Sequence, residues 1–196
     1  SFDPEQAAEI FALWNTPPII KKSYWWVNHK QTYRSEVEGG YIWSPKENRN
    51  GGKNQTYLNL KEVAPSDVVI SYADTRIKAV GVATSVYREQ GKPVDFGSSG
   101  DGWASQGWAV SIDWFVLDTP IKPKSHIDQI RPLLPAKHSP LQSNGNGNQG
   151  CYLASISSEL GSLLTALIVG GNSGVSAVVD DATREQIERK IEREIQ

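Results

Sequence analysis

The chain is poor in the residues that build disulfide frameworks and metal sites. Its 196 residues include no methionine, one cysteine and three histidines. A single cysteine, Cys151, cannot form a disulfide within the chain, and three scattered histidines do not suggest a zinc site. The N-terminal SFDPEQAAEIF shows no basic segment before an apolar run, so it does not indicate a signal peptide. These absences favour a protein of the reducing cytoplasm that has no metal and no other cofactor.

Long apolar runs, a strong net charge and enzyme signatures are also missing. No apolar run approaches the roughly 20 residues that span a bilayer, so we expect no membrane segment. A formal net charge of −2 does not favour a general polyanion binder. The motifs of α/β-hydrolases, zinc proteases, P-loop proteins and dithiol oxidoreductases do not occur. Asp113, Cys151 and His138 are the residues eligible for chemistry near a bound ligand, and we expect no catalysis from this chain.

The hydrophobic pattern predicts one mixed α+β domain over residues 1–171. β-branched and aromatic residues alternate or cluster over 23–28, 67–72, 77–87 and 108–117, which predicts strands. Apolar residues at helical spacing predict helices over 3–14 and 155–169. Polar and glycine-rich composition predicts mostly loop over 30–61 and 91–107.

The segment 172–196 has a different character, and we expect a linker followed by a charged helix. Residues 172–180 are small, and the helix predicted over 182–196 has one thin apolar stripe of Ile187, Ile191 and Ile195. Opposite charges recur four residues apart on its other faces. So narrow a stripe does not suit a core helix. We expect it to lead to a further domain, or to pack on a partner such as a second copy.

Three tryptophans in polar surroundings are the clearest functional signal. Trp43, Trp103 and Trp108 lie in or beside glycine-rich loops, whereas Trp25 and Trp26 have the neighbours of core residues. Aromatic rings exposed on loops can stack on a flat ligand or a base. The alternative is that each of these tryptophans closes one end of a sheet.

A local excess of positive charge is the second signal. Residues 21–61 contain eight basic and three acidic residues, a local charge of +5. Basic residues interleaved with aromatic and amide side chains suit a groove that binds a phosphate backbone. The candidates for phosphate contacts are Lys30, Arg34, Lys46, Arg49 and Lys53. The alternative is a solvated polar loop.

The order of these segments resembles that of EVE and YTH domains. Residues 41–44, YIWS, resemble the cage-tryptophan segment of YTH domains, and residues 54–72, NQTYLNLKEVAPSDVVISY, resemble the middle of EVE domains. Residues 103–116 resemble the paired cage tryptophans and the next strand of YTH domains. The resemblance covers residues 22–169. It implies a PUA-like fold, a small mixed β-barrel flanked by helices, which takes an extruded modified base into an aromatic cage.

This resemblance also implies roles for particular residues. Trp43, Trp103 and Trp108 would form the cage. Polar partners at the edge of the base would come from Asn28, Ser44, Asp113 and Tyr72, and Asp113 would suit an exocyclic amino group.

An EVE-like module followed by a charged linker resembles the N-terminal half of modification-dependent restriction enzymes, in which an HNH nuclease domain follows. This favours double-stranded DNA carrying 5-methylcytosine or 5-hydroxymethylcytosine as the partner, with the nuclease elsewhere in the full protein. Two alternatives remain open. One is a reader of N6-methyladenine on DNA or RNA, and the other is a PUA-like module that binds a small ligand or a protein.

Overall fold

A computed structural model describes residues 21–172 and 174–175 of the chain. The helices predicted over 3–14 and 182–196 lie outside these described residues. The described strands are β1 (Tyr24–Asn28), β2 (Tyr41–Pro45), β3 (Val68–Ala73), β4 (Arg76–Ala83), β5 (Arg88–Gly91), β6 (Gln106–Ile121) and β7 (Leu153–Ile156). The described α-helices are α1 (Tyr33–Gly39), α2 (Gln55–Leu58), α3 (Ile127–Ile130) and α4 (Ser158–Gly171).

The seven strands form one curled sheet that makes a half-barrel. The strand order is β2-β6-β4-β3-β1-β7, and β5 pairs with β6. β1 and β3 are parallel, and the other described pairs are antiparallel. The parallel pair needs a long crossover, and this crossover contains α1, β2 and α2. The predicted mixed α+β barrel with flanking helices is confirmed.

Helix α4 covers one face of the sheet. Leu160, Leu164 and Ile168 follow one another at four-residue spacing and are fully buried, against a cluster that includes Trp26 and Ile70. Each such side chain contributes about 1.5–3 kcal/mol by leaving water. The opposite face carries a second core cluster, in which Trp25, Ile42, Trp108 and Val110 are among the buried residues.

The structure differs from the sequence expectations at several places. α1 lies in a stretch whose composition predicts mostly loop, β5 lies between the strands predicted over 77–87 and 108–117, and β7 occupies the first residues of the helix predicted over 155–169. Asn172, assigned by its sequence to the linker, exchanges two hydrogen bonds with the backbone of Thr119 in β6, at 2.8 and 3.1 Å. Val175 is also buried in the core. The residues just after α4 therefore pack on the domain. None of the helices described here is long and apolar enough to cross a bilayer.

Candidate functional site

A cavity of about 400 Å³ opens where β1 and β2 end. Its size falls within the range of small-ligand pockets, about 300–1,000 Å³. We call it the tryptophan cavity. Its aromatic lining consists of Trp43, Tyr57, Trp103 and Tyr152, and its polar lining includes Lys30, Asn48, Asn54 and Gln149.

Trp43 is the fixed side of the tryptophan cavity. It lies within β2 rather than in a loop, its side chain is 1% exposed, and its Nε1 donates a 3.0 Å hydrogen bond to the carbonyl of Gln90. A Cβ atom at Gly107 on the neighbouring strand would lie 2.4 Å from the indole ring. Glycine at that position therefore allows the ring to lie flat against β6.

Trp103 is the second ring of the cavity, and it belongs to the loop before β6. The two indoles stack, with ring centroids 6.2 Å apart and planes inclined by 28°. Phe96 meets both rings edge-on, at centroid distances of 5.6 and 5.7 Å. The structure therefore brings together two aromatic residues that are far apart in the sequence.

The spacing of the two indoles decides how a flat ligand could enter. Carbon atoms in contact lie about 3.5–4.0 Å apart, so a planar group held between two rings needs them about 7–8 Å apart. At 6.2 Å the rings must separate before they can enclose one. We expect Trp103 to be the side that moves, because it is half-buried on a loop whereas Trp43 is buried in a strand. Arg49 holds this loop through hydrogen bonds to the carbonyls of Gly102 and Asp101, at 3.0 and 3.2 Å.

A buried carboxylate lies behind the cavity wall. Glu36 of α1 is 0% exposed and accepts hydrogen bonds from the Thr32 hydroxyl at 2.6 Å, from the Trp43 backbone N–H at 3.1 Å and from the Tyr152 hydroxyl. His29 Nε2 lies 3.1 Å from Glu36 Oε2, at an angle outside hydrogen-bond geometry. Glu36 thus connects the turn after β1, strand β2 and the segment before β7.

The two phenols beside Glu36, those of Tyr152 and Tyr41, stay protonated. Burial raises the pKa of Tyr152 well above its ordinary value of 10.0, and the Glu36 carboxylate raises it further. Burial, together with the charges of Glu36 and Asp95, raises the pKa of Tyr41 to about 12. The Tyr152 hydroxyl therefore keeps its proton and its hydrogen bond to Glu36 over the physiological pH range.

Amide side chains supply hydrogen-bonding groups on the polar wall. Asn54 caps α2 by accepting from the Thr56 backbone at 2.9 Å, and it donates to Asn48 Oδ1 at 3.1 Å. Lys30 Nζ donates to the backbone carbonyl and the side-chain oxygen of Gln149, at 2.8 and 3.1 Å. Within the described part of the chain, Asn48 Nδ2 and Gln149 Nε2 have no partner. Both are donors that a ligand could use.

Asn28, predicted to contact a base, holds a loop instead. Its Nδ2 donates to the carbonyls of Cys151 and Pro140, at 3.0 and 3.3 Å, and its Oδ1 accepts from Trp26 Nε1 at 2.8 Å. Asn28 lines the tryptophan cavity, but its amide is already occupied.

The other four predicted base-binding residues do not line the tryptophan cavity. Trp108 is 8% exposed and packs in the core beneath the ammonium group of Lys61, because its neighbours on β6 continue the strand. Ser44 is fully buried, since alternation along β2 directs it away from the face of Trp43. Asp113 is exposed on β6, and Tyr72 lines a different cavity.

Two of the predicted phosphate-binding residues border cavities at this site. Lys30 stands at the edge of the tryptophan cavity. Arg49 lines an adjoining cleft of about 610 Å³, which shares Trp103 and Tyr57 with the tryptophan cavity and also contains Asp101.

The other three lie away from the described cavities. Arg34 pairs with Glu38 at 2.9 Å, and Lys46 pairs with Glu89 at 2.8 Å. Lys53 is exposed. The geometry therefore does not gather the five basic residues into one groove.

The sequence does not predict several residues of the site, among them Glu36, Tyr57, Tyr152 and Gln149. Asn54 followed by Gln-Thr-Tyr-Leu is a helix N-cap signal, and it could have placed Tyr57 on a helix. Glu36 gives no comparable signal, because its burial depends on Tyr152, 116 residues away.

The buried thiol of Cys151, which lines the tryptophan cavity, should lower the stability of the protein at alkaline pH. Burial raises its pKa from 9.0 to about 12, although the nearby Lys30 lowers it. The thiol of the unfolded chain ionises first, so the free energy of unfolding should fall as pH rises above 9 and through the interval to 12. We expect this term to cost about 1 kcal/mol between pH 8 and pH 10.

Urea unfolding of the wild type and of Cys151→Ala at both pH values measures this term. Between pH 8 and pH 10 the Cys151→Ala variant should lose less stability than the wild type. Tyrosine ionisation affects the two proteins equally, so the difference between them reports the thiol. Parallel pH profiles would show that the thiol ionises alike in the folded and unfolded chain.

Comparisons with known proteins find similarity in structure alone. No protein-family model and no curated protein matches the chain. The similar solved structures include the YTH domain of Zygosaccharomyces rouxii MRB1 in complex with N6-methyladenosine RNA, at 14% identity and a TM-score of 0.48, covering 79% of this chain and 88% of that one. They also include the N-terminal domain of Staphylothermus marinus McrB, at 14% identity and a TM-score of 0.45, covering 74% of this chain and 94% of that one.

A third similar structure is an ASCH protein from Zymomonas mobilis, at 10% identity and a TM-score of 0.44, covering 74% of this chain and 95% of that one. The YTH domains to which the sequence shows a resemblance are thus among the structural neighbours. These similarities concern the fold alone.

Proposed function

We propose that the chain binds a modified nucleobase turned out of a nucleic acid strand, and that the tryptophan cavity receives the base. The observation that carries this proposal is the stacked pair of Trp43 and Trp103 in an open cavity of about 400 Å³. One ring is held by a strand and the other by a loop, so the cavity has a rigid platform and a movable cover.

The energetics of base extrusion suit this arrangement. Turning a base out of a duplex costs a few kcal/mol of stacking and pairing. Stacking on aromatic side chains restores about 1–3 kcal/mol per base. One indole therefore offsets part of the cost, and closure of Trp103 over the second face of the base offsets more of it.

Selectivity for a modified base needs polar contacts as well as stacking. A buried methyl group adds only about 0.8 kcal/mol, which is less than a tenfold preference. A buried donor left unpaired costs about 1–3 kcal/mol. Asn48 Nδ2 and Gln149 Nε2 are suitable donors for the carbonyl or ring nitrogen of a base.

For the partner, we propose double-stranded DNA with 5-methylcytosine or 5-hydroxymethylcytosine. Support comes from the resemblance of the chain to restriction-linked EVE modules. In this proposal the chain is the recognition module and not an enzyme, and cleavage belongs to an HNH nuclease domain of the full protein. A reader of N6-methyladenine, on DNA or RNA, is the alternative for the same cavity.

Binding to matched oligonucleotides tests the proposal. The panel consists of DNA duplexes and single-stranded RNAs of one sequence. Each is unmodified, or carries 5-methylcytosine or 5-hydroxymethylcytosine at one cytosine, or N6-methyladenine at one adenine. We expect at least a tenfold preference for one modified member over its unmodified partner, with 5-methylcytosine or 5-hydroxymethylcytosine DNA preferred. A preference for N6-methyladenine would select the alternative. Equal binding of all members, or none, would overturn the proposal of a modified-base reader.

A further inference from the structure

A second cavity, which is rich in lysine, lies beside the tryptophan cavity. Its volume is about 540 Å³, and it lies between the β3–β4 turn, the segment after β6 and the loop over residues 142–149. We call it the lysine cleft, because Lys30, Lys122 and Lys124 line it together with amide side chains. Lys122 and Lys124 lie outside the basic segment 21–61 noted in the sequence.

The charge of the lysine cleft is unbalanced. Asp74 is the acidic residue in its described lining, and its carboxylate is paired with Lys78. Lys124 Nζ donates one hydrogen bond, to Asn146 Oδ1 at 3.2 Å, and Lys122 Nζ has no partner within the described residues. Each ammonium group carries three donors, so several remain for an anion.

The lysine cleft adjoins the tryptophan cavity. Asn28, Lys30 and Gln149 line both, and Lys30 is hydrogen-bonded to Gln149 where the two cavities meet; we call this boundary the ridge. A strand whose base occupies the tryptophan cavity would therefore cross this ridge to reach Lys122 and Lys124.

We infer that the lysine cleft binds the phosphodiester groups next to the extruded base, an inference that rests on the proposed function. Lysine ammonium groups bind phosphates as point charges, without reading sequence. The strand then follows Lys30, Lys122 and Lys124. Arg34 and Lys46, predicted for this role, are engaged with Glu38 and Glu89.

The test uses Lys122→Gln/Lys124→Gln, with Lys21→Gln/Lys137→Gln as the control. The control removes the same charge from exposed lysines that line none of the three described cavities. The probes are the member of the oligonucleotide panel that binds best and the nucleoside of its modified base. Affinities are measured from 0.05 to 0.5 M salt.

The slope d log K/d log[salt] is negative, and each lost phosphate contact should reduce its magnitude by about 0.7–0.9, so that of the cleft variant should be smaller by about 1.4–1.8. This corresponds to roughly 25- to 60-fold weaker binding of the oligonucleotide at 0.1 M salt. Affinity for the nucleoside, which has no phosphate, should not change.

The possible failures are distinguishable. The cleft variant could match the control in affinity and salt slope while it still binds the modified oligonucleotide better than the unmodified one. In that case the lysine cleft is not the phosphate site, and the proposal for the tryptophan cavity stands. If the cleft variant also loses affinity for the nucleoside, the two lysines support the tryptophan cavity itself, and the inference of a phosphate site is wrong. If the wild type binds no probe, the proposed function falls and this inference with it.

Discussion

Replacing Trp103 with alanine should weaken binding of the preferred modified oligonucleotide by about 1–3 kcal/mol, or roughly 5- to 150-fold. The reason is that this indole forms the movable face of the cavity, with its centroid 6.2 Å from that of Trp43. Since Trp103 is half-buried on a loop, its loss should cost the fold only about 1–2 kcal/mol. Fluorescence anisotropy measures the affinity, and urea unfolding measures the stability.

Trp103→Phe is the matched control, because it keeps an aromatic face and should recover most of the affinity. An alanine variant that binds as well as the wild type would show that the indole is not part of the binding site. Trp43→Ala is a poorer probe of binding. A buried tryptophan truncated to alanine typically costs about 3–5 kcal/mol of stability, and Trp43 is 1% exposed within a strand.

Replacing Glu36 with alanine should lower the free energy of unfolding by about 2–4 kcal/mol, from lost hydrogen bonds and a donor left without its acceptor. The truncation removes the acceptor used by Thr32, by the Trp43 backbone and by Tyr152. The Thr32 hydroxyl and the Trp43 N–H keep a second acceptor each, the His29 carbonyl at 2.7 Å and the Tyr152 hydroxyl at 3.0 Å. The Tyr152 hydroxyl loses the acceptor of its own proton, Glu36. Urea unfolding at pH 7 measures the loss.

Two further variants make this prediction specific. Tyr152→Phe removes the hydroxyl that donates to Glu36 and accepts from the Trp43 N–H, and it should cost only about 0.5–1.5 kcal/mol because that N–H keeps Glu36 as its acceptor. Glu38→Ala removes an acid from the same helix, but this carboxylate is exposed and pairs with Arg34, so the change should stay below about 1 kcal/mol. If Glu36→Ala were no more harmful than Glu38→Ala, the buried network would not hold the cavity wall.

Local sequence patterns predict much of the fold. The alternating strand that contains Trp108 is present and extends from Gln106 to Ile121. The helix predicted over 155–169 is present as Ser158–Gly171, because its leucine spacing is strong enough to decide a local structure. The patterns fail at the short helices of the crossover and at β7, where too few residues carry any period.

The site is predicted less completely, because its polar groups depend on contacts distant in sequence. The pairing of Trp43 with Trp103 was expected, whereas the roles of Asn28 and Glu36 were not. Asn28 bonds to carbonyls more than 100 residues away, and Glu36 is buried by Tyr152 from the far end of the domain. For Trp108, two sequence signals conflicted, and strand alternation proved stronger than the adjoining polar loop.

The most direct test of the account is whether a bound modified base touches the two indoles. The measurement is an NMR search for intermolecular NOEs between the ¹³C-labelled methyl or hydroxymethyl group of the best-binding oligonucleotide and the protein, at saturation. We predict NOEs from this group to indole protons of both Trp43 and Trp103, and the absence of the second set in Trp103→Phe. A saturated complex whose labelled group contacts neither indole would contradict the account, as would the absence of any binding across the panel.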